Sequence, residues 1–232
     1  MAKKKKSMVT MTRSELGLGW VWLVFEVALL PTLLNLLNSL LPVPLSAPYL
    51  NFVYYCGNCG FVRGFIHKFL GRSLAAAGNG FWDFLQAAVL GFVGYWVATR
   101  GLSGLVELVF PGFANINDQS IAALAGSHYV LMVIGTVLLV PTAEEVLFRG
   151  VVFGSIRRRR RLWAYVVSVV LFAFVHISGY LAGGDWLRLV LSFVQYIPAG
   201  LFLAWSYEKA DSIFAPIVIH TAVNAIGIYA MR

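Results

Sequence analysis

Residues 129–153, YVLMVIGTVLLVPTAEEVLFRGVVF, decide the class of this chain. The run is apolar throughout except at Glu144, Glu145 and Arg149, and it exceeds the roughly 20 residues a helix needs to cross a bilayer. Two carboxylates and a guanidinium therefore stand at membrane depth, where ionisable groups mark function by default. Two later apolar segments carry one histidine each, His176 in FAFVH (172–176) and His220 in HTAVN (220–224). Acid, base and amide side chains thus recur on separate helices.

Composition agrees with a membrane setting. The 232 residues are 59% hydrophobic and 12% charged, with mean hydropathy +0.78, against about 45–50% and 25% in soluble domains. The net charge of +8 points away from nucleic acid, because the basic residues cluster at the ends of apolar spans as the positive-inside rule produces. Lys3–Lys6 and Arg13 precede a stretch, Leu16–Leu41, too long for a cleavable signal, so it reads as a retained first helix. Cys56 and Cys59 form Cys-x-x-Cys inside an apolar span and read as packed thiols.

Seven spans are expected, at about 16–41, 49–66, 81–99, 128–153, 162–181, 187–206 and 212–230. The segment 101–127 is left as a re-entrant or interfacial helix or an eighth crossing. The expected fold is all-α, a polytopic membrane helical bundle of 7–8 transmembrane helices. Its organisation is a basic cytoplasmic tail, 1–14, and a single transmembrane domain, 15–232. With seven crossings and the N-terminus cytoplasmic, fourteen basic residues fall inside and three outside, which supports a multi-pass protein of the cell membrane in that orientation. The run Arg157–Arg161 is read as an anchor on the anionic inner leaflet, with docking of an acidic substrate tail as its alternative.

On a helix Glu145 and Arg149 are i,i+4 neighbours and can pair, while Glu144 points about 100° away and stays free. A glutamate in a low-dielectric site suits a general base acting on water. Phe172 and His176 share a face, as do His220 and Asn224, and Asn224 adds an uncharged N–H donor. At about 1.5 Å per residue, Glu144, His220 and His176 lie roughly 15, 12 and 21 Å from the cytoplasmic ends of their helices, so they can meet. Such a set suits hydrolysis of a peptide bond within the membrane.

Glu144-Glu145-x-x-x-Arg149, Phe172-x-x-x-His176 and His220-x-x-x-Asn224 resemble, in order, the three motifs of the CPBP family, the CAAX-processing endopeptidases and their relatives in bacteriocin processing and self-immunity. The resemblance covers a core of about 128–227. It implies an intramembrane protease in which Glu144 and His176 activate water and His220 and Asn224 stabilise the oxyanion, with Glu145, Arg149 and Phe172 in support. The substrate it implies is a membrane-associated peptide or protein, which could be lipidated. No cofactor is favoured; zinc could be met by Glu144, His176 and His220, although the His-Glu-x-x-His helix is lacking.

Each piece also has a structural reading: a Glu–Arg clasp, and histidine or asparagine as glue between membrane helices. The joint spacing argues against independent glue. A rhomboid-like serine protease, with Gly101-Leu102-Ser103-Gly104 and His176-Ile177-Ser178-Gly179, leaves most of the polar set without a role. A non-enzymatic immunity or transport protein is the rival from another class. Glu26, in the first span, has no partner evident from sequence. His67 and His128 sit at span ends and read as solvated or interfacial.

Overall fold

The structure, a computed structural model, describes residues 9–231 and is helical without strands among them. Thr12 opens α1 (Arg13–Ala28) with a reciprocal capping box, its hydroxyl accepting from Glu15 N–H while Glu15 accepts from Thr12 N–H. These bonds satisfy two donors that a helix start leaves orphaned. Pro31 lies in the first turn of α2 (Leu30–Ser39), where its missing N–H is tolerated, and α2 departs from α1 at 52°. There follow α3 (Ala47–Phe65), α4 (His67–Asn79) and α5 (Phe81–Val109).

A turn at Pro111–Gly112, with Gly112 at φ +79°, leads to α6 (Ile116–Val133), which is broken at His128. The same rod continues as a π-helical turn, Ile134–Leu139, then α7 (Val140–Glu145), a second π-helical segment, Val146–Phe153, and α8 (Gly154–Arg157). The chain ends with α9 (Arg161–Ser178), α10 (Trp186–Gln195), α11 (Ile197–Ala210) and α12 (Phe214–Ala230).

Every residue from Val146 to Phe153 is buried, and apart from Arg149 this stretch is apolar all round rather than on one stripe. It forms the core with Phe172 of α9 and Leu203, Ala204 and Tyr207 of α11. Close approach of α5 to α11 depends on Gly94, where a Cβ would strike the ring of Phe202.

Among the described residues four helices are long and apolar enough to cross a membrane, 81–109, 116–157, 161–178 and 186–210, or five if the bent α1–α2 pair is one span. The chain is an all-helical integral membrane protein. All seven expected spans fall on helices, but the count of seven to eight is not reached by length and apolarity. The 17-residue α12 is short, about 26 Å, and α3 carries Asn51, Asn58 and Arg63. Segment 101–127 is no separate element: it divides between the end of α5 and the start of α6. Helix α4 was not expected, since the hydropathy of its residues is low.

Lys3–Lys6 of the expected tail, and Arg232, lie outside the described residues. Val9 and Met11 pack on the body instead of trailing: Val9 N–H donates to both carboxylate oxygens of Asp211 at 3.1 Å, and Met11 is buried. The arginine run is not uniformly solvated either. Arg157 is buried against Asp211 at 3.2 Å, and Arg161 pairs with Glu208 at 2.8 Å; Arg159 and Arg160 remain exposed.

Candidate active site

The two π-helical segments bracket the carboxylates. In the first, Val140 N–H bonds Gly135 C=O, five residues back. In that register the next carbonyl, Thr136, faces residue 141, a proline with no N–H to give. Asn224 Nδ2 of α12 supplies the missing donor at 2.8 Å. Pro141, three residues before Glu144, is thus part of what ties α12 to the π-helical turn that leads into α7. One Nδ2 hydrogen is spent on this bond, and the other remains for the site.

Glu145 is fully buried and does more than clasp Arg149. Its Oε1 accepts from Arg149 Nη1 at 3.2 Å and from His220 Nδ1 at 2.7 Å. Arg149, also fully buried, donates in addition to the Gly200 carbonyl at 3.4 Å and lies over the ring of Phe172 at 4.2 Å. Phe172 in turn contacts His176 and His220, with ring centroids 4.5 and 6.0 Å away. The expected supporting trio therefore forms one unit beneath both imidazoles.

Glu144 turns the other way. Its Oε2 lies 3.9 Å from His176 Nε2 and 4.0 Å from His220 Nε2. His176 Nδ1 is held by the Phe172 carbonyl at 2.7 Å, as His220 Nδ1 is held by Glu145. Occupying both Nδ1 atoms as donors leaves both Nε2 atoms facing the same carboxylate. Glu144 Oε2 is buried yet has no hydrogen-bond partner, whereas nearly all buried polar atoms in proteins are paired. His176 is also stacked on Tyr196, 4.1 Å between centroids, and the Tyr196 hydroxyl accepts from Asn117 at 2.9 Å and donates to Asp118 at 3.2 Å.

A cavity of about 860 Å³ is lined by Glu144, His176, His220 and Asn224, so the structure brings together the four residues singled out from sequence. Glu26 and Tyr54 line it as well. Sequence reading left Glu26 unassigned; its only signal was an isolated carboxylate in an apolar span. Tyr196 gave no signal beyond being one aromatic among many. Ser103 also borders the cavity, but its hydroxyl accepts from Gln195 at 3.4 Å, and His176 makes no hydrogen bond to it. Cys56 and Cys59 are free thiols.

Donors bound about 2.0–2.2 Å from a tetrahedral zinc stand about 3.4 Å apart. The separations of 3.9 and 4.0 Å around Glu144 are wider, and no group of three His, Cys, Asp or Glu among the described residues is closed to ligand spacing. The trio as arranged does not fit a closed zinc site. It does suit a water molecule, whose hydrogen bonds reach about 2.7–2.9 Å.

Residues 126–226 match the family described as Rce1-like, type II CAAX prenyl endopeptidase Rce1-like. The chain is 28% identical over 156 residues to UPF0177 protein YxdF of Lactococcus lactis, covering 65% of this chain and 80% of that protein. It is 27% identical over 151 residues to a Bacillus subtilis protein named "Putative membrane peptidase YdiL", covering 63% of this chain and 57% of YdiL. No solved structure matches it. The matched region holds Glu144, Glu145, Arg149, Phe172, His176, His220 and Asn224, whereas Glu26 and Tyr54 of the cavity lie outside it. Over that region the chain is similar to CAAX-type membrane proteases of the CPBP family, and both matches support that family for it.

Proposed function

We propose that this protein is an intramembrane endopeptidase that hydrolyses a peptide bond of a membrane-associated peptide or protein, with Glu144 as the base. The observation that carries this reading is the buried, unpartnered Glu144 Oε2 facing two imidazole Nε2 atoms at 3.9 and 4.0 Å. A water hydrogen-bonded there gives its proton to Glu144 as its oxygen attacks the scissile carbonyl, and His176 Nε2 orients it. The oxyanion is stabilised by the remaining Asn224 N–H and by His220, whose ring is held in place by Glu145. Arg149 and Phe172 hold this pair in place. No step needs a metal; were zinc to bind, Glu144, His176 and His220 are the residues that would have to draw together around it.

The family's name supports a lipidated C-terminal substrate, and a cavity of about 860 Å³ has room for one. The excess of basic residues on one side supports a cytoplasmic N-terminus in the cell membrane. The test compares reconstituted wild type and Glu144→Gln on a quenched peptide ending in prenylated Cys-aliphatic-aliphatic-X, alongside proteomics of membranes expressing each. Cleavage by the wild type alone is expected. Equal product from both proteins would overturn the assignment of Glu144, and no product in either experiment would overturn the proteolytic reading.

A further inference from the structure

Glu26 has no role in the scheme above, yet it lines the cavity in which the chemistry would occur. It stands in the last turn of α1, is only 5% exposed, and lines the cavity that holds Glu144, close enough for the two carboxyls to interact electrostatically. Among the described residues it makes no hydrogen bond and no ion pair. It lies outside the region that matches the family.

Three features act on Glu26 in the same direction. An unpaired carboxylate out of water is far costlier than a carboxylic acid. The C-terminal end of a helix carries partial negative charge, which opposes an anion there. A second carboxyl in the same cavity opposes it again. Glu144 differs in what surrounds it: it faces two imidazoles and its side chain is 24% exposed. Arg149, the buried cation nearby, is already committed to Glu145. Two carboxyls in unlike surroundings sort into a base and an acid.

We propose that Glu26 is the general acid of the reaction and protonates the departing amine. The inference rests on the proteolytic reading above. As water adds to the scissile carbonyl, one of its protons passes to Glu144. When the tetrahedral intermediate collapses, the C–N bond breaks with its electron pair moving to nitrogen, and that nitrogen takes the proton of Glu26. The proton gained by Glu144 then returns to the Glu26 carboxylate through water. Amide and water become carboxylic acid and amine, and both glutamates are restored.

A general acid matters only where the leaving group needs a proton. The test therefore uses two probes on reconstituted protein: the prenylated Cys-aliphatic-aliphatic-X peptide, and its analogue with a thioester at the scissile bond, whose thiolate departs unprotonated. Glu26→Gln, nearly isosteric, should lower amide turnover by about 10²–10⁴-fold and leave thioester turnover within a few-fold of wild type. Parallel losses on both probes would reveal a structural role and overturn the proposal, as would unchanged amide turnover. Infrared difference spectra of wild type against Glu26→Gln supply a readout independent of activity. The proposal requires a protonated-carboxyl band at neutral pH that the variant lacks, and its absence in the wild type would overturn it. A wild type inactive on both probes would count against the proteolytic reading, while the band would still decide whether Glu26 carries the proton.

Discussion

Replacing Arg149 by methionine tests the unit that supports the imidazoles. The guanidinium is completely buried, bonded to Glu145 at 3.2 Å and to the Gly200 carbonyl at 3.4 Å, and set 4.2 Å over Phe172. Removing one member of a buried pair costs about 3–5 kcal/mol, because the other charge is left uncompensated. Two details favour the lower end, about 3 kcal/mol: methionine keeps much of the volume, and His220 still donates to Glu145 at 2.7 Å. Adding Glu145→Gln removes the stranded charge, so the double variant should regain most of that loss, giving a coupling of about 2 kcal/mol within the range for contacting residues. Turnover should not return with stability, since glutamine does not supply the carboxylate that holds His220 Nδ1. Urea unfolding in detergent micelles measures the first quantity and peptide cleavage the second. Arg149→Met as stable as wild type, or a double variant no better than the single one, would refute the reasoning.

Asn224→Ala should lower kcat by about 10²–10³-fold with little change in KM, as expected for a donor used mainly in the transition state; a change confined to KM would contradict that role. Turnover should survive chelation, because Glu144 takes the proton itself. Chelator-sensitive activity restored by one equivalent of zinc would instead show that the trio closes on a metal. Tyr196→Phe keeps the ring stacked on His176 but loses the bonds to Asn117 and Asp118, so a loss of turnover under about tenfold is expected, on the order of one neutral hydrogen bond. Tyr196→Leu, which removes the stack, should do worse; equal effects of the two would show that the ring does not position His176.

Local pattern carried the legible part of this molecule. Apolar runs fell on helices, four or five of them long and apolar enough to span among the described residues, and i,i+4 spacing paired Glu145 with Arg149, Phe172 with His176 and His220 with Asn224. Contacts between helices distant in sequence were not readable. His220 resting on Glu145, Tyr196 beneath His176 and Glu26 entering from α1 all follow from packing rather than spacing. The arginine run reads as a leaflet anchor because charge alone cannot tell a solvated arginine from Arg157, buried against Asp211 at the far end of the chain. The extension of α5 past Gly101 was hidden by glycines, which weaken a helix but do not forbid one.

A π-helical turn is an α-helix with one residue too many, so the site is keyed to chain length as well as to side-chain identity. Losing Ile134 or Gly135 would let the rod relax into the ordinary register, bringing Val140 N–H opposite the Thr136 carbonyl. The Thr136 carbonyl would regain a backbone donor and Asn224 would lose its anchor. Point substitutions that keep the residue count should be absorbed along this stretch, whereas a one-codon deletion should silence the protein without touching a polar side chain. Homologous chains should accordingly vary in composition between His128 and Glu144 far more readily than in the number of residues that separates them.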